Sequence, residues 1–124
     1  MIWRIRDRAT FDLLRRRGCR ARHGAVSVTF LAEDLDTPSR VAYVAGTRVG
    51  KAVVRNRVRR RLRSIMVEFS NADGPAALRS GAYLVRADPK GAALTFDELK
   101  RHVGGAVAGA HQRFDSGGAR AVRT

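Results

Sequence analysis

Arg48-Val49-Gly50-Lys51-Ala52-Val53-Val54-Arg55-Asn56-Arg57-Val58-Arg59-Arg60-Arg61-Leu62-Arg63, with its continuation to Phe69, decides how this chain folds. Val54, Val58, Leu62, Ile65, Met66 and Phe69 recur at spacings of four, four, three, one and three. At about 100° per residue these six share one arc of about 120°, which predicts an amphipathic helix over residues 51–69. Asn56, Arg57, Arg59, Arg60 and Arg63 take the rest of the circumference. From position 47 to 63 there are eight cations (Arg48, Lys51, Arg55, Arg57, Arg59, Arg60, Arg61 and Arg63) and no acid. A solvated helix face ordinarily places Glu at i,i+4 among its bases to relieve such repulsion. A helix that omits every carboxylate calls for an external polyanion, and a phosphate backbone is one.

Upstream, residues 46–50 break the pattern before the helix, and two strands are predicted at 25–31 and 40–45. In the first, Val26, Val28 and Phe30 alternate with Ser27, Thr29 and Leu31; a polar, acidic loop over 33–39 joins it to the second. A further strand at 20–22 is only faintly signalled. Residues 10–17 read as a short helix with Thr10 as N-cap, Phe11 and Leu14 on one face, and Gly18 at its end. Downstream, 71–81 is a connection, 82–87 a strand around Tyr83, Leu84 and Val85, and 88–91 a turn. Thr95 and Glu98 have capping-box spacing before a helix striped with Leu99, Val103 and Val107, weakened by Gly104 and Gly105. The domain is expected over 1–112, with 113–124 a mobile basic tail.

The whole chain has 124 residues, 25 of them basic and 11 acidic, for a net charge of +14. Such an excess attracts nucleic acid, and 22 of the cations are Arg, which suits bidentate phosphate contact. One cysteine, Cys19, allows neither an internal disulfide nor a zinc site and fits a reducing compartment. No apolar run is long enough for a membrane span or a signal peptide, so a cytoplasmic location is expected, with no membrane partner and no small-molecule substrate. At 44% hydrophobic residues the chain is too apolar for a wholly disordered tail. The acids are scattered, and His23, His102 and His111 lack metal-ligand spacing. No catalytic or metal-binding residue is expected in the protein itself, which argues against a protein-only nuclease. Trp3 reads as a packing anchor.

The run from Arg48 to Arg63 closely resembles the signature of the bacterial ribonuclease P protein component, with Arg55-Asn56-Arg57 matching that family's RNR motif. The likeness extends over about residues 3–112. It implies an α+β fold, an α-β-β-β-α-β-α two-layer sandwich of the ribosomal protein S5 domain 2 type, with a left-handed crossover at the RNR helix. By the same resemblance, Arg48, Lys51, Arg55, Asn56, Arg57, Arg59, Arg60 and Arg63 face ribonuclease P RNA. Phe11, Leu14, Arg15, Thr29, Phe30 and Arg86 would line a cleft for the 5′ leader of precursor tRNA. The RNA subunit would perform Mg2+-dependent cleavage, and the protein alone would bind no cofactor. The chain departs from the family at Arg15 and Thr29, where aromatics are usual, and at Thr47-Arg48, where paired lysines are. The alternative reading is a ribosome-associated RNA-binding protein of the same fold with no part in cleavage.

Overall fold

The computed structural model describes residues 2–33, 38–74 and 77–118. Five strands and three helices follow one another as β1 (Ile2–Arg4), α1 (Arg8–Arg17), β2 (Cys19–His23), β3 (Val26–Ala32), β4 (Ser39–Ala45), α2 (Ala52–Ser70), β5 (Gly81–Ala87) and α3 (Phe96–Arg113). The strands form one mixed sheet in the order β1-β4-β5-β3-β2. β4 runs parallel to both β1 and β5, whereas β3 is antiparallel to β5 and β2. This is the α+β order that the resemblance implies, with one added strand at its start.

Period-two alternation divides the sheet into two faces. Val26, Val28, Phe30, Val41, Tyr83 and Val85 point toward α2 and α3 and form the main core with Val58, Leu62, Ile65, Met66 and Phe69 of α2. Leu99, Val103, Ala106, Val107 and Ala110 complete it from α3. On the opposite face a smaller cluster of Ile5, Leu14, Leu31 and Ala82 seats α1. The apolar stripe predicted for 51–69 is thus the buried face of α2.

Three boundaries differ from the sequence reading. Asp7, not Thr10, caps α1: its Oδ2 accepts from both the backbone N–H of Thr10, at 2.9 Å, and the Thr10 hydroxyl, at 2.7 Å. The buried hydroxyl of Thr10 thereby serves the cap instead of being it. β1 was not anticipated, because three residues carry little local signal and it exists only by pairing with β4, Ile2 opposite Ser39. α3 runs through Gly104 and Gly105 to Arg113 and continues as a wide turn over Phe114–Gly118. A Cβ on Gly105 would lie 2.3 Å from the His23 ring, so the glycine lets α3 close onto β2. Phe114 and Asp115, which fall within the expected tail, are attached to the body: Phe114 packs on the core, and Asp115 takes a bidentate pair from Arg79 at 2.7 and 2.9 Å. Residues 119–124 lie outside the described residues, as do 34–37 of the acidic loop and 75–76 of the connection.

A candidate nucleic-acid interface

A single 3-10 turn, Thr47–Val49, leads into α2, with Val49 buried beneath it. Gly50 turns the chain at φ +149°, a conformation open only to glycine, and Lys51 caps α2 without a side-chain hydrogen bond. No acid occupies the first turn. The positive end of the helix dipole thus lies beside Arg48 and Lys51, both exposed, where an anion is favoured.

Asn56, Arg57, Arg60 and Arg63 are exposed along α2, and Arg55 and Arg59 are half-buried. Among the described residues none of the eight sequence-selected positions takes part in an ion pair. Asn56 Oδ1 accepts from Arg59, and the Arg55 Nε is buried without a hydrogen-bond partner. Arg61, outside the candidate set, is used structurally: its Nη1 donates to the Leu94 carbonyl at 3.1 Å.

Asn56, Arg59, Arg60 and Arg63 line a groove of about 700 Å³, and Arg4 of β1 and Tyr43 of β4 form its other side. The Arg63 guanidinium stands 6.0 Å from the centre of the Tyr43 ring, within cation–π range. The Tyr43 hydroxyl is buried with no hydrogen-bond partner. Burial pushes its pKa up to about 12 against the opposing pull of Arg63. Arg48, Lys51, Arg55 and Arg57 do not line this groove. Arg57 projects from farther round the helix, about 60° beyond Arg60. Sequence reasoning missed Arg4 and Tyr43, which arrive from β1 and β4.

A second groove, of about 450 Å³, lies on the opposite face of the sheet beside α1. Phe11, Leu14, Arg15, Thr29 and Arg86 meet there, together with Arg20, Ser27, Val44 and Leu84. The register explains the assembly: Arg20 lies opposite Thr29, Thr29 opposite Leu84, Ser27 opposite Arg86, and Arg86 opposite Val44. Small side chains make the floor, and Arg15, Arg20 and Arg86, all exposed, make a cationic rim.

Phe30 does not belong to this groove, contrary to the expectation above. Adjacent residues of a strand point to opposite faces, so Thr29 in the groove sends Phe30 into the main core. There it is 1% exposed, with ring centres 4.9 Å from Tyr83 and His111 and 5.6 Å from Phe114. Arg20 and Ser27 were missed, although the same period-two rule points to them: Arg20 alternates with buried Cys19 and Ala21.

Among the described residues no three or more His, Cys, Asp or Glu side chains are placed to hold a metal ion, and no helix is long and apolar enough to cross a membrane.

The family model described as Ribonuclease P matches residues 2–111. The ribonuclease P protein component of Thermobifida fusca is 41% identical over 112 residues, covering 84% of this chain and 73% of its own length. That of Kocuria rhizophila is 38% identical, covering 89% and 93% respectively. Among solved structures, the Staphylococcus aureus RNase P protein superposes with a TM-score of 0.74 at 17% identity, covering 90% of this chain and 97% of that one. The Thermotoga maritima RNase P protein gives 0.71 at 21% identity, covering 85% and 94%. The match of sequence over nearly all of the folded body, on a scaffold that these structures share, decides between the two readings left open by the motif: the chain belongs to the ribonuclease P protein family, the protein components of a tRNA-processing endonuclease.

Proposed function

We propose that this chain docks onto ribonuclease P RNA through Arg48, Lys51, Arg55, Asn56, Arg57, Arg59, Arg60 and Arg63, and grips the 5′ leader of precursor tRNA in the groove beside α1. The observation that carries the reading is the acid-free row of guanidinium groups on α2, held outward by a helix whose opposite face is locked into the core. An RNA backbone relieves the mutual repulsion of that row and gains bidentate phosphate contacts. Leader binding is supported by Phe11, which is half-buried at the wall of the second groove, and by the Arg15, Arg20 and Arg86 rim, which suits a single strand.

In this reading the protein contributes electrostatics and positioning. Mg2+ supplies charge neutralisation and hydrolytic chemistry in the RNA subunit, and the work is cytoplasmic. Six to ten phosphate contacts would make RNA affinity fall roughly 10³- to 10⁵-fold between 50 and 200 mM salt.

Reconstitution tests the proposal. Purified chain is mixed with ribonuclease P RNA and precursor tRNA at low magnesium, with and without the leader. Restored, leader-dependent cleavage is expected; cleavage without the RNA subunit, or no effect of the protein on leader-bearing substrate, would overturn it. Arg57→Glu with Arg60→Glu is expected to abolish holoenzyme assembly while circular dichroism stays native.

A further inference from the structure

We propose that the groove between α2 and the β1–β4 edge seats one unstacked nucleotide of the RNA that docks on α2, its base against Tyr43 and its phosphates on Arg4, Arg60 and Arg63. The proposal rests on the RNA-docking reading above and adds to it a base-sized slot.

A phosphate backbone alone needs only a convex cationic ridge. Here the ridge borders a concavity of about 700 Å³, within the size range of small-molecule sites. Its lining includes the Tyr43 ring and the exposed side chain of Val53, apolar surface from which a phosphate gains nothing and a nucleobase gains stacking and burial. Its cations come from elements far apart in sequence. β1 is three residues long and exists by pairing with β4; that pairing sets Arg4 opposite Val41 and thus across from Arg60 and Arg63. No acid lines the groove among the described residues.

Two features single out a base over a phosphate as the occupant of the floor. The Arg63 guanidinium stands over the Tyr43 ring, and its movement to a phosphate would free that aromatic face for a base. The Tyr43 hydroxyl is buried and unpartnered, and base edges offer the donors and acceptors that would satisfy it once Arg63 moves to a phosphate. A duplex keeps its bases stacked inward and can offer the groove only its backbone, so the occupant is an unpaired position in a bulge, loop or junction. Trp3, 51% exposed, lies next to Tyr43 and Arg63 on the same edge, beside Val67 of α2. As the only tryptophan in the chain it reports on this spot.

The test is equilibrium binding of the full chain to ribonuclease P RNA, with variants outside the RNR motif. Arg4→Gln is expected to weaken binding about tenfold and to lower the salt slope by about one. Tyr43→Leu is expected to weaken it comparably with the slope unchanged. Arg101→Gln removes an exposed charge from α3 that lines neither groove and is expected to change little. In the wild type, Trp3 fluorescence should shift with a single-stranded oligoribonucleotide and much less with an RNA duplex of equal length. If Tyr43→Leu proves misfolded by circular dichroism, Tyr43→Phe keeps the ring and is expected to bind more weakly through loss of the hydroxyl alone. Wild-type binding with both groove variants unaffected overturns the nucleotide slot and leaves the docking reading standing. A loss confined to Arg4→Gln, with no single-strand preference at Trp3, also overturns it, because phosphate contact alone accounts for that. Failure of the wild-type protein to bind the RNA at all overturns the docking reading and the slot with it.

Discussion

Nε2 of His111 sits 2.8 Å from the hydroxyl of Tyr83, and one tautomer satisfies the whole set around them. The phenol oxygen accepts from the Arg79 N–H at 2.9 Å and donates its proton to the Arg79 carbonyl at 2.8 Å. His111 must therefore donate from Nε2, as a neutral imidazole. Burial first, and then the nearby Arg79 charge, pull its pKa down to about 4, with Asp115 opposing. An unfolded histidine takes its proton near pH 6.5, whereas this one resists until about 4. The stabilisation is complete above pH 6.5, is lost progressively as pH falls from 6.5, and is gone below about 4. Urea unfolding is expected to show about 2 kcal/mol less stability at pH 4.5 than at pH 7, and His111→Phe to flatten that part of the profile.

Phe30 is a core residue rather than a leader contact, and its variants should behave accordingly. Phe30→Ala is expected to cost about 3–5 kcal/mol and Phe30→Leu less, by loss of the ring contacts with Tyr83, His111 and Phe114. Thermal melting measures the loss. Folded Phe30→Leu should keep the wild-type preference for leader-bearing substrate; a changed preference at unchanged stability would contradict the placement.

At Gly50 any side chain is strained by φ +149°, and a Cβ would approach Val54 to 3.2 Å. Gly50→Ala is expected to lower stability by about 1–3 kcal/mol in a thermal melt. It should also weaken RNA binding, because the turn sets Arg48 and Lys51 relative to Arg55.

The second groove lacks an aromatic floor and has a rim of three guanidinium groups instead. Arg20→Gln and Arg86→Gln are each expected to weaken the holoenzyme's binding of leader-bearing precursor tRNA about tenfold, while mature tRNA binds as before. Titration of the reconstituted enzyme with both substrates checks this.

α2 was legible to within a residue because hydrophobic period and charge both repeat within one helix. The capping box of α3 was legible too: Thr95 accepts from Glu98 N–H at 3.1 Å, and Glu98 accepts from Thr95 N–H at 2.8 Å, all within four residues. What local pattern could not reveal depends on partners distant in the chain. β1 needs β4. Asp7 is fixed as a cap partly by an ion pair with Arg40 at 3.2 Å, thirty-three residues away. Gly105 reads as a helix breaker until His23 is seen against it. The groove residues Arg20 and Ser27 were within reach, since the alternation that placed Thr29 on one face places them beside it and removes Phe30.

Tyr43 and Val44 are neighbours in β4, yet one opens onto the groove beside α2 and the other onto the groove beside α1. The sheet therefore acts as a spacer of constant thickness between the two RNA strands the grooves are proposed to hold. Inserting a single residue within β4 would exchange the two addresses, whereas lengthening the loop ahead of the strand would leave both in place. The two addresses thus depend on the residue count of β4 and not on that of the loop before it.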